Sequence, residues 1–179
     1  MNRVMQEGLW AVLFIVLTAG CGVSMAEDAP SARRNVEEAG GFSFVPPEGW
    51  QTRLFPGLKY KIVFGTPANG FAPNINVVDE QFKGTLDAYV DASAATIQRV
   101  LKNAHVVKRD AFKTDDGTAG VRQVVEDEQQ GKKLRQVFFF FGRDDTKFVA
   151  TCSTLADGGE KLDGAFETSM KSFRFEKKK

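Results

Sequence analysis

The stretch 134–141 reads LRQVFFFF, and its second half, Val137–Phe141, is an unbroken run of apolar side chains. A strand with one solvent-exposed face alternates apolar and polar residues, whereas a strand covered on both faces is apolar throughout. We therefore predict that Leu134–Phe141 is a central strand, with other strands beside it and apolar groups packed on each face.

The second half of the chain contains further strand-like stretches, and polar turn residues separate them. The turn signals are Asp115–Gly117, Gln129–Gly131 and Arg143–Thr146. Such short connections join antiparallel neighbours. The predicted meander has four strands, namely His105–Lys113, Gly120–Glu128, Lys133–Phe141 and Lys147–Leu155.

Shorter elements are predicted on either side of the meander. Thr85 is a plausible N-cap for a long helix, and Asn103 could end that helix in the left-handed conformation. This grouping indicates an α+β fold in which helices cover both faces of a mostly antiparallel sheet. The remaining predictions are strands Gly41–Val45, Leu58–Phe64 and Asn74–Glu80, helices Thr85–Asn103 and Leu162–Lys171, and a closing segment Ser172–Phe175.

Composition limits the classes of function. The chain has 179 residues and 42% hydrophobic residues, which suits one globular domain. Its net charge of +1 supplies no global field to attract nucleic acid. One histidine and two cysteines are too few for a zinc site built from those ligands. We predict no metal and no other cofactor.

The N-terminus has the pattern of an export signal. Leu9–Ala19 is uncharged, apolar and shorter than the roughly 20 residues that a membrane span needs. At the end of this stretch, Leu17–Cys21 (LTAGC) resembles the lipobox of bacterial lipoprotein precursors. That resemblance implies that residues 1–20 are removed and that Cys21 becomes the lipid-bearing N-terminus. The match has one departure, because Thr18 stands where leucine is usual.

Two other outcomes remain open for this segment. Ser24-Met25-Ala26 permits ordinary signal cleavage after Ala26, and an uncleaved segment could stay as an anchor. All three outcomes place the domain outside the cytoplasm, either membrane-anchored in the cell envelope or secreted. Residues 21–40 are rich in small and charged residues, so we predict a flexible tether followed by a folded domain at 41–176.

Reactive side chains are few, and each has an ordinary structural interpretation. Cys152 lies in a predicted strand, and a buried structural thiol is the better interpretation than a reactive one. His105 follows the predicted helix, where a solvent-facing or capping role outweighs a catalytic one. The acidic clusters at 115–116, 126–128 and 144–145 could attract Ca²⁺, but they lack the spaced pattern of a calcium loop and suit turns.

Two segments are candidates for contact with a partner. The loop Gly65–Pro73 carries Phe71 and is our choice for a partner site, because loops hold most binding residues. The alternative is that Phe71 folds back onto the core. The tail Lys177–Lys179 could touch anionic lipid or could be a frayed, soluble end.

The opening GFSFVPPEGW (41–50), the closing MKSFRF (170–175) and the order of elements between them resemble the PsbP-like family and the bacterial DcrB-like lipoproteins. The resemblance implies an antiparallel sheet between helices, the sandwich also called Mog-type. Members of the family are mostly non-enzymatic and include an extrinsic photosystem subunit, envelope lipoproteins and a Ran-binding regulator. No catalytic residues are carried over.

These observations predict a membrane-tethered envelope lipoprotein that is not an enzyme and that binds an unidentified envelope protein. The alternative is a carrier of lipid or a small molecule, with an apolar pocket between the sheet and a helix. A hydrolase is a third class, and it would need a nucleophile and a base within hydrogen-bond reach.

Overall fold

The computed structural model describes residues 34–177, which form two antiparallel sheets and two α-helices. The large sheet has seven strands in the order β3-β4-β5-β9-β8-β7-β6, and the small sheet has three in the order β1-β2-β10. The elements are β1 Asn35–Glu37, β2 Phe42–Phe44, β3 Gln51–Arg53, β4 Ile62–Phe64, β5 Asn74–Gln81, α1 Leu86–Val100, β6 Lys102–Lys113, β7 Ala119–Gln129, β8 Lys132–Arg143, β9 Thr146–Leu155, α2 Asp163–Lys171 and β10 Arg174–Phe175.

The predicted central strand is β8, and the structure confirms its position. β8 pairs with β7 on one side and with β9 on the other, so it lies inside the large sheet. Every residue from Gln136 to Phe141 is buried. Phe139 and Phe141 belong to the core on one face, whereas Phe138 and Phe140 belong to the core on the other face. The apolar run therefore reflects two cores that share one strand.

Tight turns join the meander strands as predicted. Gln130 and Gly131 both have positive φ values, 50° and 75°, which suit a two-residue hairpin between β7 and β8. The turn between β6 and β7 is closed by Asp116, whose Oδ1 accepts hydrogen bonds from the Thr114 hydroxyl at 2.6 Å and the Thr118 backbone N–H at 3.1 Å. The Asp116 carboxylate therefore stabilises this turn.

Helices cover both faces of the large sheet, as predicted. On one face, α1 places Tyr89, Val90 and Ile97 against Phe138 and Phe140. On the other face, α2 and the small sheet pack against odd-numbered residues of β8. There the Phe141 and Phe173 rings stack with their centroids 4.2 Å apart. No helix within residues 34–177 is long and apolar enough to cross a membrane.

The start of α1 was predicted correctly and its end was not. The Thr85 hydroxyl accepts a hydrogen bond from the Ala88 backbone N–H at 3.1 Å, so Thr85 is the N-cap. The helix ends at Val100, and Leu101 already has an extended conformation. Asn103 does have a positive φ of 56°, but it lies inside β6, at an irregularity in the pairing with β7. Pairing with β7 therefore prevails over helix propensity in this segment.

The predicted tether to residue 40 is wrong at its C-terminal end. Asn35–Glu37 pair with β2, and the Arg34 guanidinium donates hydrogen bonds to the Ser172 carbonyl at 2.8 Å and the Ser43 hydroxyl at 3.1 Å. This strand could not be predicted from an apolar pattern, because its buried side chains are polar. Glu37 is buried, and the Asn35 amide donates to its carboxylate at 3.0 Å. The domain therefore includes residue 34. The predicted signal, Cys21 and the rest of the tether lie outside the described residues.

Two early strands are shorter than predicted. Gly41–Val45 is reduced to Phe42–Phe44, and Leu58–Phe64 is reduced to Ile62–Phe64. The Leu58 backbone N–H donates instead to the Phe55 carbonyl at 3.1 Å, which makes a turn. Tyr60 is nevertheless buried.

Candidate functional site

A groove of about 390 Å³ opens beside the end of β9. The loop between β4 and β5 forms one wall, and a short 3-10 helix, Gly159–Leu162, belongs to the opposite side. Its lining combines six apolar residues with four polar ones. They are Trp50, Ala68, Phe71, Pro73, Leu155 and Leu162, and Thr66, Asn69, Thr154 and Asp157.

The loop wall is a small hairpin with defined hydrogen bonds. Ala68 and Phe71 exchange two backbone hydrogen bonds, of 2.9 and 3.0 Å. Asn69 and Gly70 between them have φ values of 52° and 70°, which asparagine and glycine tolerate better than other residues. The Lys132 ammonium lies 3.5 Å from the Asn69 carbonyl oxygen. The backbone thus positions the Asn69 side chain at the groove.

Phe71, the predicted partner residue, is only 2% exposed. The alternative, in which the ring folds back onto the core, is the observed arrangement, so a contact through an exposed Phe71 ring is wrong. Its loop does line the groove. The surface that the loop offers consists of Thr66, Ala68 and Asn69, with Phe71 buried at the lining.

Trp50 forms the aromatic wall of the groove. Its indole lies so close to Gly65 that a Cβ there would meet a ring atom at 2.8 Å, so this position requires glycine. The ring also meets Phe166 of α2 edge-on, with centroids 5.9 Å apart. Two elements therefore hold the indole in place. The Trp50 side chain remains only partly buried and lines the opening.

An ion-pair cluster fixes the elements next to the groove. The Arg135 guanidinium donates to both carboxylate oxygens of Asp163, at 3.1 and 2.8 Å, and to Glu126 at 3.1 Å. Arg122 donates to Asp163 at 3.0 Å. The Asp163 hydrogen bond contributes most to raising the Arg135 pKa. Both guanidinium groups are engaged, so the cluster anchors the start of α2 to the sheet and is not a vacant anion site.

Cys152 and His105, the two candidate reactive side chains, lie far apart. Cys152 in β9 is fully buried, and desolvation raises the pKa of its thiol well above the ordinary value. His105 in β6 is 63% exposed, with Nε2 3.7 Å from Glu126. Strands β8 and β7 separate them, a spacing of about 14 Å at the usual strand separation. A thiolate–imidazole pair is therefore not formed.

The acidic clusters do not converge with other ligands. Among residues 34–177 no group of three or more His, Cys, Asp or Glu side chains is arranged to hold a metal ion. Asp116 is engaged in its turn, and hydrogen bonds from Thr114 and Thr118 lower its pKa. Glu128 pairs with Lys102 at 2.7 Å. The carboxylates of Asp116 and Glu128 are therefore engaged with neighbouring hydrogen-bond donors.

A second feature, which sequence reasoning missed, is a layer of buried polar side chains on the α1 face of the large sheet. The layer consists of Asn74, Asn76, Gln123, Asp127, Gln136, Thr151 and Ser153, each at most 4% exposed. Register places Asn74 opposite Ser153, and Ser153 opposite Gln136. Alternating polar residues in a predicted strand normally indicate a solvent-facing side, so the burial of these side chains could not be predicted from the pattern.

Several atoms of this layer lack partners within the described part of the chain. They are Asn74 Oδ1, both amide atoms of Asn76, Gln123 Nε2 and Asp127 Oδ2. The Gln136 amide does donate to Ser153 at 3.0 Å, and the Gln129 amide donates to the other Asp127 oxygen at 3.0 Å. Desolvation dominates at Asp127 and raises its pKa to about 6.

Comparison with solved structures identifies the fold class as PsbP-like. The solution structure of CyanoP, the cyanobacterial PsbP of Synechocystis sp. PCC 6803, matches with a TM-score of 0.61 and 15% identity, covering 86% of this chain and 98% of that chain. The predicted resemblance to PsbP-like proteins is therefore confirmed at the level of the fold. The resemblance to DcrB-like lipoproteins stays a prediction.

Two other structures share this fold. LpqN, a protein involved in cell envelope biogenesis of Mycobacterium tuberculosis, matches with a TM-score of 0.55 and 14% identity over 74% of this chain and 81% of its own. PA94 of Pseudomonas aeruginosa, a protein of unknown function, matches with a TM-score of 0.50 and 16% identity over 69% and 94%. No protein-family model and no curated protein matches the sequence.

Proposed function

We propose that this chain is a membrane-tethered lipoprotein of the bacterial cell envelope, in which the PsbP-like domain binds another envelope component without catalysing a reaction. The observation that carries the proposal is the groove at Trp50. It is a concave surface with an aromatic wall and dispersed polar groups, which suits recognition.

The fold neighbours and the N-terminal sequence support the cellular location. LpqN, which has the same fold, is involved in cell envelope biogenesis. Residues 1–33 precede the described domain and contain the signal pattern and Cys21. A lipid on Cys21 would hold the domain near the membrane through the short segment that ends at Arg34.

The positions of the reactive side chains favour binding over hydrolysis. A hydrolase needs a nucleophile and a base within about 3 Å of each other. Cys152 is enclosed in the core, and His105 lies on the edge strand of the same sheet. Asp157, the ionisable residue of the groove lining, is exposed and lies at the end of β9.

A carrier of small molecules is the second candidate. The prediction placed an apolar pocket between the sheet and a helix. The space between the sheet and α1 is filled, because Tyr89, Ile97 and Phe138 are buried and packed together there. The groove lies instead beside the 3-10 helix that precedes α2. Its volume of about 390 Å³ falls within the usual range for small-ligand pockets, about 300–1,000 Å³.

Site-specific photo-crosslinking in intact cells tests the proposed function. A photoreactive side chain at Asn69, on the groove wall, is expected to give a defined adduct with an envelope component. The matched control places the same group at Asp115, an exposed turn residue between β6 and β7. Equal adducts from both positions, or none from Asn69, would contradict a binding role for the groove.

A further inference from the structure

We propose that the Trp50 groove binds a neutral saccharide of one or two rings. This inference rests on the proposed function and names the chemistry of the component that the domain would recognise. It depends on three properties of the groove, namely an aromatic wall, four polar side chains, and a lining without a cation.

The aromatic wall suits a ligand with one apolar face. A sugar ring presents a patch of C–H groups on one side, and the face of an indole carries the negative part of its quadrupole, which attracts such groups. Trp50 is held by Gly65 and Phe166, so its orientation is set before a ligand arrives. Pre-organisation of this kind reduces the entropy lost on binding.

The polar lining suits the hydroxyl groups of a sugar. Thr154 lines the groove and its side chain is mostly buried, with 7% of the residue exposed. Asn69 and Asp157 are exposed and also line the groove. Together these groups supply donors and acceptors, which hydroxyl groups can match because each hydroxyl both donates and accepts.

The charges around the groove disfavour other ligand classes. None of the ten lining residues is cationic, and the nearby Arg135 is already paired with Asp163 and Glu126. The Lys132 ammonium lies next to the groove, 3.5 Å from the Asn69 carbonyl oxygen, but it is not part of the lining, whose one charged side chain is the carboxylate of Asp157. A purely apolar chain would cover Thr154 and Asn69 without giving them partners. A basic peptide would pair with the single exposed carboxylate of Asp157 but would make little use of the Trp50 indole and the Thr154 hydroxyl.

The test is a binding titration of the full chain, purified in a detergent without a sugar head group. Trp10→Phe leaves Trp50 as the one tryptophan of the two in the sequence, so indole fluorescence reports on the groove. The probes are N,N′-diacetylchitobiose and maltose, compared with decanoate and tri-lysine. We expect at least one disaccharide to shift the Trp50 emission and to bind more tightly than decanoate and tri-lysine.

Two conservative variants separate a specific site from general adhesion. Thr154→Val and Asp157→Asn should each weaken saccharide binding about tenfold, the effect of losing one well-formed hydrogen bond. Asp115→Asn, on a distant exposed turn, should leave it unchanged. Circular dichroism checks that each variant is folded, and Asp157 lies in an exposed loop where the amide is easily accommodated.

Three results would overturn the inference. They are tighter binding of decanoate or tri-lysine than of the disaccharides, no binding of either disaccharide, and affinity unaffected by both Thr154→Val and Asp157→Asn. The proposed function fails by a different measurement, the Asn69 crosslink in cells. A protein that crosslinks from Asn69 but ignores both disaccharides would therefore refute the saccharide and leave the binding role standing.

Discussion

At the scale of single residues, Phe139 shows how much one side chain contributes to the core. It is fully buried in the centre of β8, and its ring meets Phe112 edge-on with centroids 4.8 Å apart. Phe139→Ala is expected to lower the free energy of unfolding by about 3–5 kcal/mol, because it removes buried area and leaves a cavity. Urea denaturation measures this. Val107→Ala, at an exposed position of β6, is the control and should change it by less than about 0.5 kcal/mol.

Asp127 makes the stability of the domain depend on pH. Its pKa is about 6 in the folded protein, against a usual value near 4 in an unfolded chain. The folded state therefore holds the proton more tightly, and the free energy of unfolding falls as pH rises from about 4 to about 6, by up to about 3 kcal/mol. Below pH 4 both states are protonated and this loss disappears.

Asp127→Asn should remove that dependence. The amide cannot ionise, and its oxygen can still accept from Gln129. We expect the variant to be more stable than the parent at pH 7 and equally stable at pH 4, as measured by urea denaturation at both values. Asp115→Asn on an exposed turn is the control. A variant less stable than the parent at pH 7 would show that the carboxylate is compensated by an interaction beyond those described.

At the scale of elements, the short strand β1 tests where the domain begins. It contributes three paired residues and the Arg34 hydrogen bonds to Ser172 and Ser43. The free energy of unfolding of a domain starting at residue 41 is expected to be about 2–4 kcal/mol lower than that of a domain starting at residue 34. The shorter domain loses the two charge-assisted hydrogen bonds of Arg34 and the pairing of β1 with β2. Thermal and urea unfolding compare the two. A chain starting at residue 22 should have the same free energy of unfolding as the one starting at residue 34. Equal stability of all three chains would support the original prediction that the tether extends to residue 40.

The same scale explains which elements the sequence could predict. The meander was predictable because its strands are long, adjacent along the chain and separated by turn residues, so local signals coincide with tertiary pairing. β1 was not, because the polar groups at this strand find their partners only in the folded domain. Arg34, directly before β1, donates to the Ser172 carbonyl, 138 residues further along the chain.

At the scale of the whole molecule, the lipid on Cys21 is the prediction that decides its location. Two or more acyl chains anchor a protein stably, whereas one holds it only marginally. Cys21→Ser should therefore move the protein from the membrane fraction to the soluble fraction, or leave an uncleaved precursor. Membrane fractionation and mass spectrometry of the mature N-terminus measure this. Cys152→Ser is the matched control and should stay with the membrane, since that thiol is buried in the core.

An unmodified N-terminus at Glu27 would mean that ordinary signal cleavage prevails, and the membrane tether would then be abandoned. The folded domain should be unaffected in either case. Residues 34–177 contain both helices, both sheets and both clusters of buried side chains, so the core does not depend on Cys21.

The class of fold and the interior position of β8 could be predicted from local sequence patterns. Local apolar patterns survive folding unchanged, and Val137–Phe141 can only be buried on both faces. The candidate site was decided by tertiary structure alone. The sequence pointed to the loop of Phe71, but the groove also needs Trp50, Thr154 and Leu162, which come from three separate parts of the chain. No local pattern records such a meeting, because only the packing of β9, the 3-10 helix and the loop brings those side chains together.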